Sequence, residues 1–132
     1  MKGWLFEQRV SDKFEREHDG SDGTLYIPGQ WFQYQEHGQR LTFCQTDGLL
    51  FRYRQQRVLI IEVKYKHTVD AYWQLEQKYV PVVSWLFRNW EISTCEVVKW
   101  YDAATPFPTE VSLKKEPLTT KPSEFGVHIL NI

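Results

Sequence analysis

The stretch Val58-Leu59-Ile60-Ile61-Glu62-Val63-Lys64 places an acid and a base two residues apart at the end of a continuous apolar run. A short apolar run rich in β-branched residues predicts a buried strand, and we expect that strand over 57–65. Because strand side chains alternate between two faces, Glu62 and Lys64 are expected on the same face. Two interpretations stay open here, an exposed ion pair worth less than ~1 kcal/mol or part of a functional site.

An acid followed by a turn residue, Asp47-Gly48, lies upstream in a second strand-like stretch. We expect a strand over 40–54 that is interrupted at this point. A hairpin turn at Gln55-Gln56 would then connect it to the strand over 57–65. Because the length of a hairpin turn fixes which residues pair, this turn predicts the register of the two strands.

The predicted register determines where the polar side chains meet. It places Asp47 opposite Lys64 and Leu49 opposite Glu62, and directly opposed residues share a face of the sheet. Asp47, Glu62 and Lys64 therefore project to the same side, whereas a slip of one residue would move Asp47 to the other face. The two carboxylates would be separated by a backbone diagonal of ~7–8 Å, which leaves room for one divalent metal ion between their oxygens.

Helical periodicity, strand alternation and turn residues predict the rest of the chain. The remaining elements, in order, are a helix over 2–17, a strand over 31–35, a helix from Thr68 to near Asn89, a strand over 91–101, an irregular connection over 102–124 and a closing strand over 125–132. Pro81 should kink or divide the second helix, because proline removes a hydrogen-bond donor. This order predicts an α/β fold with a mixed central sheet, flanked by helices, in a single domain over 1–132.

Composition limits the classes of function. Aromatic residues make up 16% of the chain and include six tryptophans, so many belong to the core while some are free to stack on bases or to form a partner surface. The net charge is -1, whereas a protein that coats nucleic acid nonspecifically is normally basic. Any contact with nucleic acid would therefore be local and helped by a metal cation.

Several other classes of protein are disfavoured by the sequence. It contains no P-loop, no Rossmann glycine fingerprint and no nucleophile elbow. Cys44 and Cys95 lie in strand-like runs without a Cys/His cluster, so we expect buried free thiols rather than a zinc site. No segment approaches the ~20 apolar residues of a membrane span. We therefore expect a cytoplasmic protein without membrane contact.

Asp47, Glu62 and Lys64, with the apolar run directly before Glu62, resemble the signature of the PD-(D/E)xK nuclease superfamily. The restriction-endonuclease-like core of that superfamily is a helix, a three-strand meander, a helix and a further strand on a mixed sheet, as predicted here over 1–101. The resemblance implies that Asp47 and Glu62 bind Mg²⁺ or Mn²⁺, that the Val63 carbonyl joins them, and that Lys64 is catalytic. The metal ion would activate a water molecule for hydrolysis of a phosphodiester.

Two flanking features are closest to the Holliday-junction resolvase and RecB-like exonuclease branches of the superfamily. Glu7 falls where a first-helix glutamate of the resolvases faces the site, which implies a catalytic or metal-binding role, and a solvated helix position is the alternative. Gln74 and Tyr79 resemble the RecB-like Gln-x-x-x-Tyr motif with one residue too many. Gln74 would place the water or the DNA, and Tyr79 would contact nucleic acid or belong to the core. Thr46 departs from the superfamily, which has proline there.

The resemblance also implies the partners of this chain. Nucleic acid is the expected partner, DNA more than RNA, with Lys66, His67, Gln74 and Tyr79 as binding candidates. The sequence shows no separate specificity domain, so we expect a protein that is directed by the structure of its substrate, or a homodimer, or a subunit that a partner protein targets. The alternative is a non-catalytic module on the same fold that binds nucleic acid or protein, which the near-neutral charge and the aromatic content favour.

Overall fold

A computed structural model describes residues 2–35, 37–66, 74–100 and 127–131. The elements, in chain order, are α1 (Lys2–Glu17), β1 (Thr24–Pro28), β2 (Trp31–Gln35), β3 (Leu41–Gln45), β4 (Gly48–Arg52), β5 (Arg57–Lys66), a π-helical turn (Gln74–Tyr79), α2 (Val80–Leu86), β6 (Glu91–Trp100) and β7 (Val127–Asn131). Among the described helices, none is long and apolar enough to cross a membrane.

The strand β5, which contains the apolar run, lies at the centre of a five-stranded sheet with the order β1-β4-β5-β6-β7. The first three of these strands are antiparallel, whereas β6 runs parallel to β5 and β7 runs parallel to β6. Val58, Leu59, Ile60 and Ile61 are each no more than 1% exposed. The predictions of an α/β fold, a mixed sheet and a buried strand over this run are therefore confirmed.

Helices cover both faces of the sheet. On one face, α1 packs Phe6 against strand residues that include Leu59 and Ile61. On the other face, Leu75 of the π-helical turn belongs to a cluster that includes Ile60. Alternate residues of β5 thus serve two separate cores, which is why the run is apolar at every position. Full burial of each such side chain stabilises the fold by ~1.5–3 kcal/mol.

The three-strand meander consists of different strands from those predicted. The predicted strand over 40–54 is two strands, β3 and β4, which belong to different sheets. The meander is formed by β1, β4 and β5, and β1 was not predicted at all. The predicted strand over 31–35 is present as β2, but it pairs with β3 in a separate two-stranded sheet.

A bend beside Asp47 is the physical reason for this difference. Pro28 pairs with Gly48 on one side of the bend and Trp31 pairs with Gln45 on the other side. The two pairs follow one continuous register. Between these pairs, the Gly29 N–H donates to the Asp47 carbonyl and the Thr46 N–H donates to the Gln30 carbonyl, each at 3.0 Å. Gly29 has a φ of +54°, a left-handed conformation that glycine adopts without strain. The two pairs of strands are therefore one long ribbon, bent at Gly29.

The predicted hairpin register is wrong by two residues. The last pair before the connection is Arg52 with Arg57, not Arg54 with Arg57. The connection is a 3₁₀ turn over Tyr53–Gln55 followed by Gln56 with a φ of 53°, so four residues link the strands instead of two. A shift of two residues keeps every side chain on its predicted face, because the period of a strand is two.

Other predicted boundaries agree with the structure where it describes them. The helix over 2–17 is α1, the strand over 91–101 is β6, and β7 lies within 125–132. The start of the second helix at Thr68 and the connection over 102–124 lie outside the described residues. Pro81 stands in the first turn of α2, directly after the π-helical turn, so the helical segment changes character beside this proline, as predicted. Cys44 and Cys95 are buried free thiols, as predicted.

Substitution of Gly48 tests the close approach of β1 and β4. An added Cβ at Gly48 would overlap the ring of Tyr26. We expect Gly48→Ala to lower the free energy of unfolding by ~1–3 kcal/mol, the usual cost of overpacking, in a urea titration. Gly3→Ala is the control, because a Cβ added at Gly3 would lie 4.0 Å from Tyr65 Cβ. Alanine in a helix is also more favourable than glycine by up to ~1 kcal/mol. Wild-type stability in Gly48→Ala would contradict this packing.

Candidate active site

Asp47 lies at the bend of the ribbon, one residue before β4, and its carboxylate is held by the end of β5. The Val63 N–H donates to Asp47 Oδ2 at 2.7 Å. The Tyr26 hydroxyl donates to the Asp47 carbonyl at 3.3 Å. Asp47 therefore meets β5 at Val63, whereas the predicted register placed it opposite Lys64. The position is set from two strands, because β1 supplies Tyr26 and β5 supplies Val63.

Glu62 and Lys64 share a face of β5, as predicted, but Glu62 is buried. The Lys64 Nζ is 3.4 Å from Glu62 Oε1, and the side chains are 27% and 6% exposed. The interpretation as an exposed ion pair is therefore wrong. The other oxygen, Glu62 Oε2, is buried and has no hydrogen-bond partner among the described residues. An ionised carboxylate oxygen without a partner in such a place costs free energy unless a cation or a donor satisfies it.

The electrostatics of the site disfavour charge on its carboxyl groups. Burial, then the charge of Glu62, raises the pKa of Asp47 from its ordinary 3.8 to about 8, although the Val63 hydrogen bond lowers it. Burial also raises the pKa of Glu62, although Lys64 and the Tyr79 hydroxyl lower it. Neighbouring carboxyls whose pKa values are raised by burial and by nearby negative charge are a common arrangement of functional sites, because a fold gains no stability from them.

Glu7 is the third carboxyl group of the site. It lies on α1 and lines a cavity of about 150 Å³ whose wall also includes Trp4, Asp47 and Val63. The charge of Glu7 raises the pKa of Asp47, and so does a hydrogen bond that the Glu7 carboxylate accepts from the protonated form of Asp47. The structure thus brings Glu7 to Asp47. Glu7 itself is exposed, so it reaches the site from the solvent side.

The extra residue between Gln74 and Tyr79 lies in a π-helical turn, which accommodates one more residue than an α-helical turn. Hydrogen bonds of a π-helix connect residues five apart, whereas those of an α-helix connect residues four apart. Gln74 and Tyr79 begin and end the π-helical turn, so they are related as residues four apart are in an α-helix. Tyr79 is 6% exposed and its hydroxyl interacts with Glu62. Gln74 Oε1 is buried and has no hydrogen-bond partner among the residues described.

Lys66 and His67, the other predicted nucleic-acid contacts, lie farther along the chain. Lys66 is exposed at the end of β5, on the same face as Lys64. Its ammonium group is therefore available to solvent near the site. His67 lies outside the described residues.

Tyr26 and Trp4 belong to the site but were missed from the sequence. Tyr26 is buried, which raises the pKa of its hydroxyl, and the charge of Asp47 raises it further. A signal for its strand was present, because Thr24-Leu25-Tyr26-Ile27-Pro28 is rich in strand-forming residues and is bounded by glycines. Trp4 offered no signal, since an exposed tryptophan on a helix is identified only by what surrounds it.

The oxygen donors at the site fit one divalent cation of the Mg²⁺ class. Asp47 and the partnerless Glu62 Oε2 supply carboxylate oxygens, which hard cations prefer. Within the described residues there is no group of three His, Cys, Asp or Glu side chains close enough to hold a metal ion. Asp47 and Glu62 would therefore hold the ion together with a backbone carbonyl, such as that of Val63, and water. Mg²⁺ characteristically keeps several water ligands.

Comparisons with known proteins give no family for the chain. No protein-family model matches it, and no curated protein or solved structure matches it. The function of the site is therefore argued from its geometry and chemistry.

Replacement of Asp47 tests the electrostatic cost of the site. Without metal, the raised pKa means that wild type loses stability as pH rises from 3.8 to about 8, because the unfolded chain ionises first. Asp47→Asn removes this loss and keeps an oxygen for the Val63 N–H. In EDTA we expect the free energy of unfolding of Asp47→Asn to exceed that of wild type by an amount that grows over this pH range. At pH values above the range, the difference should reach ~1–3 kcal/mol.

The measurement is thermal or urea unfolding of both proteins across that pH range. Asp12→Asn, an exposed carboxylate on α1, is the control and should change stability by less than ~0.5 kcal/mol. A gain for Asp47→Asn that does not depend on pH would contradict the raised pKa.

Proposed function

We propose that the chain is a metal-dependent nuclease that hydrolyses phosphodiester bonds by means of a metal-activated water. One observation carries this proposal: Glu62 is buried, one of its oxygens has no hydrogen-bond partner among the described residues, and the Lys64 ammonium is 3.4 Å from the other, while the charge of Glu62 acts on Asp47. A purely structural ion pair has no need of a second carboxylate. A metal site beside a phosphate needs a second carboxylate, because anionic oxygens must hold the cation.

The order of elements supports a restriction-endonuclease-like core. A helix, the antiparallel meander β1-β4-β5, a helical segment and a parallel strand β6 follow one another, as in the PD-(D/E)xK superfamily. Asp47 precedes the middle strand of the meander, and Glu62 and Lys64 lie on its last strand. The hairpin β2–β3 is then an insertion between the first two strands. Thr46 remains a departure from the superfamily signature.

The residues of the site have separate roles in the proposed reaction. A divalent cation such as Mg²⁺ or Mn²⁺ would supply a Lewis acid for the phosphate and would lower the pKa of a water molecule. Asp47 and Glu62 would hold the cation. Lys64 is 27% exposed, so its ammonium group is accessible to a substrate and would stabilise negative charge that develops on the phosphate. Glu7 adds a further carboxylate at the solvent edge of the cavity.

The π-helical turn packs on the face of the sheet that carries Glu62, opposite α1. Tyr79 is a positioning residue in this proposal, because its hydroxyl interacts with Glu62 and would fix the orientation of that carboxylate. Gln74 offers a buried amide oxygen, which would accept a hydrogen bond from the attacking water or from the substrate. DNA is the expected substrate by analogy with most of the superfamily.

The second candidate function is a non-catalytic binding module on the same fold. The observation that favours it is the exposed apolar surface of the β2–β3 hairpin, where Trp31 is 62% and Phe43 is 60% exposed. Large exposed aromatic side chains mark contact surfaces. The carboxylate pair of Asp47 and Glu62 has no role in this alternative, so dependence on a divalent metal distinguishes the two functions.

Cleavage assays test the proposed function. Single-stranded DNA, duplex DNA, flap, four-way junction and RNA substrates are incubated with Mg²⁺, Mn²⁺ or EDTA. We expect metal-dependent cleavage that falls by ~10²–10³-fold in Lys64→Ala, the usual loss of one charge-stabilising group, and that disappears in Glu62→Ala. Lys13→Ala on the exposed face of α1 is the control and should retain activity. Equal cleavage activity in wild type and Glu62→Ala would contradict the proposal.

Tyr79→Phe tests the positioning of Glu62. Loss of the hydroxyl leaves the ring packed but frees the carboxylate, so we expect ~10–100-fold weaker Mn²⁺ binding, as for other groups that orient metal ligands. Calorimetric titration measures the affinity. Tyr53→Phe, which removes an exposed hydroxyl bonded to the Gly20 carbonyl, is the control and should bind Mn²⁺ like wild type. An unchanged Mn²⁺ affinity in Tyr79→Phe would show that the hydroxyl does not orient Glu62.

A further inference from the structure

We propose that the outer face of the β2–β3 hairpin, together with Trp4, binds unpaired bases by stacking, so that the substrate is single-stranded nucleic acid. We call this surface the aromatic face: Trp31 and Phe43 on the hairpin, and Trp4 on α1. The proposal rests on the proposed function, because that function supplies the reason for nucleic acid to approach Asp47.

The hairpin presents large aromatic side chains to solvent on one side only. Trp31 is 62% exposed and Phe43 is 60% exposed, and Leu41 adds 47%. On the opposite side of the same strands, Phe32 and Cys44 pack against the core. The hairpin therefore needs its inner side for folding, whereas the stability of the fold gains little from the outer aromatic residues.

The aromatic face begins beside the candidate metal site. Asp47 shares a backbone hydrogen bond with Gly29, and Trp31 is two residues beyond Gly29. Trp31 pairs with Gln45, and Phe43 follows two residues farther along that strand. Diagonal neighbours of this kind are ~7–8 Å apart, a spacing that aromatic side chains can bridge. A strand of nucleic acid that leaves Asp47 along the hairpin would therefore meet Trp31 and then Phe43.

Trp4 also lies close to Asp47. It is 65% exposed and lines the same cavity as Glu7, Asp47 and Gly29. Exposed tryptophans thus approach this part of the chain from two elements, α1 and the hairpin. Exposed aromatic rings along a path are the usual means of binding single strands, since every base has a face on which to stack.

The charge of the hairpin favours bases over a duplex backbone. From Trp31 to Gln45 the sequence contains one acidic residue, Glu36, and one basic residue, Arg40. A surface that follows the phosphates of a duplex needs several cations. Gln33 and Gln35 are exposed on this hairpin instead, and an amide offers both donors and acceptors to the edge of a base. A duplex hides its base faces, so only an unpaired strand uses these groups.

Binding in EDTA tests the proposal without cleavage. Fluorescence anisotropy measures the affinity for labelled oligo(dT), for oligo(U) and for the duplex of oligo(dT) with oligo(dA). The variants are Trp31→Ala, Trp31→Phe, Trp31→Leu and, as a control, Tyr53→Ala. Tyr53 is an exposed aromatic residue like Trp31, but it follows β4 at the opposite end of that strand from Asp47.

The proposal predicts that wild type binds single strands at least about tenfold more tightly than the duplex. Trp31→Ala and Trp31→Leu should each weaken single-strand binding by about tenfold, the typical loss for one stacked base, whereas Trp31→Phe and Tyr53→Ala should stay within about threefold of wild type. Equal or tighter duplex binding, or an unaffected Trp31→Ala, overturns it. A protein-docking surface would give no binding to any oligonucleotide, which also overturns it.

Failure of this inference is distinguishable from failure of the nuclease function. Metal-dependent cleavage that Lys64→Ala abolishes, combined with wild-type binding by Trp31→Ala, would reject the aromatic face and leave the nuclease. Single-strand binding lost in Trp31→Ala, without cleavage in either metal, would support the aromatic face and reject the nuclease. Comparison of oligo(dT) with oligo(U) distinguishes DNA from RNA as the source of the single strand.

Discussion

The hydrogen bond from the Val63 N–H to Asp47 Oδ2 is the interaction on which the site depends. It continues the contact between β4 and β5 beyond their last pair, Gly48 with Ile61, and so holds the Asp47 side chain against the end of the central strand. The left-handed conformation of Gly29 makes the bend. The bond then fixes Asp47 next to Glu62, so that backbone geometry, rather than flexible side chains, sets the separation of the carboxylates.

This arrangement lowers the stability of the metal-free chain. Burial raises the pKa of both Asp47 and Glu62, the charge of Glu62 raises that of Asp47 further, and the charge of Glu7 raises both. The apolar cores on the two sides of β5 supply the stability that offsets this cost. A divalent cation would reverse the sign of the interaction, since each oxygen that repels its neighbours attracts the cation. Stored electrostatic strain of this kind is typical of sites kept for function.

The sequence allowed the main features of the fold to be predicted, and its failures have physical causes. The apolar run identified β5, and alternation placed Glu62 and Lys64 correctly on one face. The bend at Gly29 could not be predicted, because a single glycine in a turn-like stretch does not reveal that two hairpins share one register. The four-residue connection shifts the register of β4 and β5 by two residues from the predicted one, which left each side chain on its predicted face. The π-helical turn was also unpredictable, since its sequence reads as an ordinary helix.

Calorimetric titration of Mn²⁺ into the metal-free protein tests the central claim most directly, with Glu62→Gln as the variant and Glu17→Gln, an exposed residue at the far end of α1, as its control. We expect Mn²⁺ to bind at a single site in wild type and in Glu17→Gln. We expect Glu62→Gln to lose that binding, because glutamine keeps the shape of the side chain but not its charge. Equal binding in all three proteins, or no binding in wild type, would contradict the claim that Asp47 and Glu62 form a cation site.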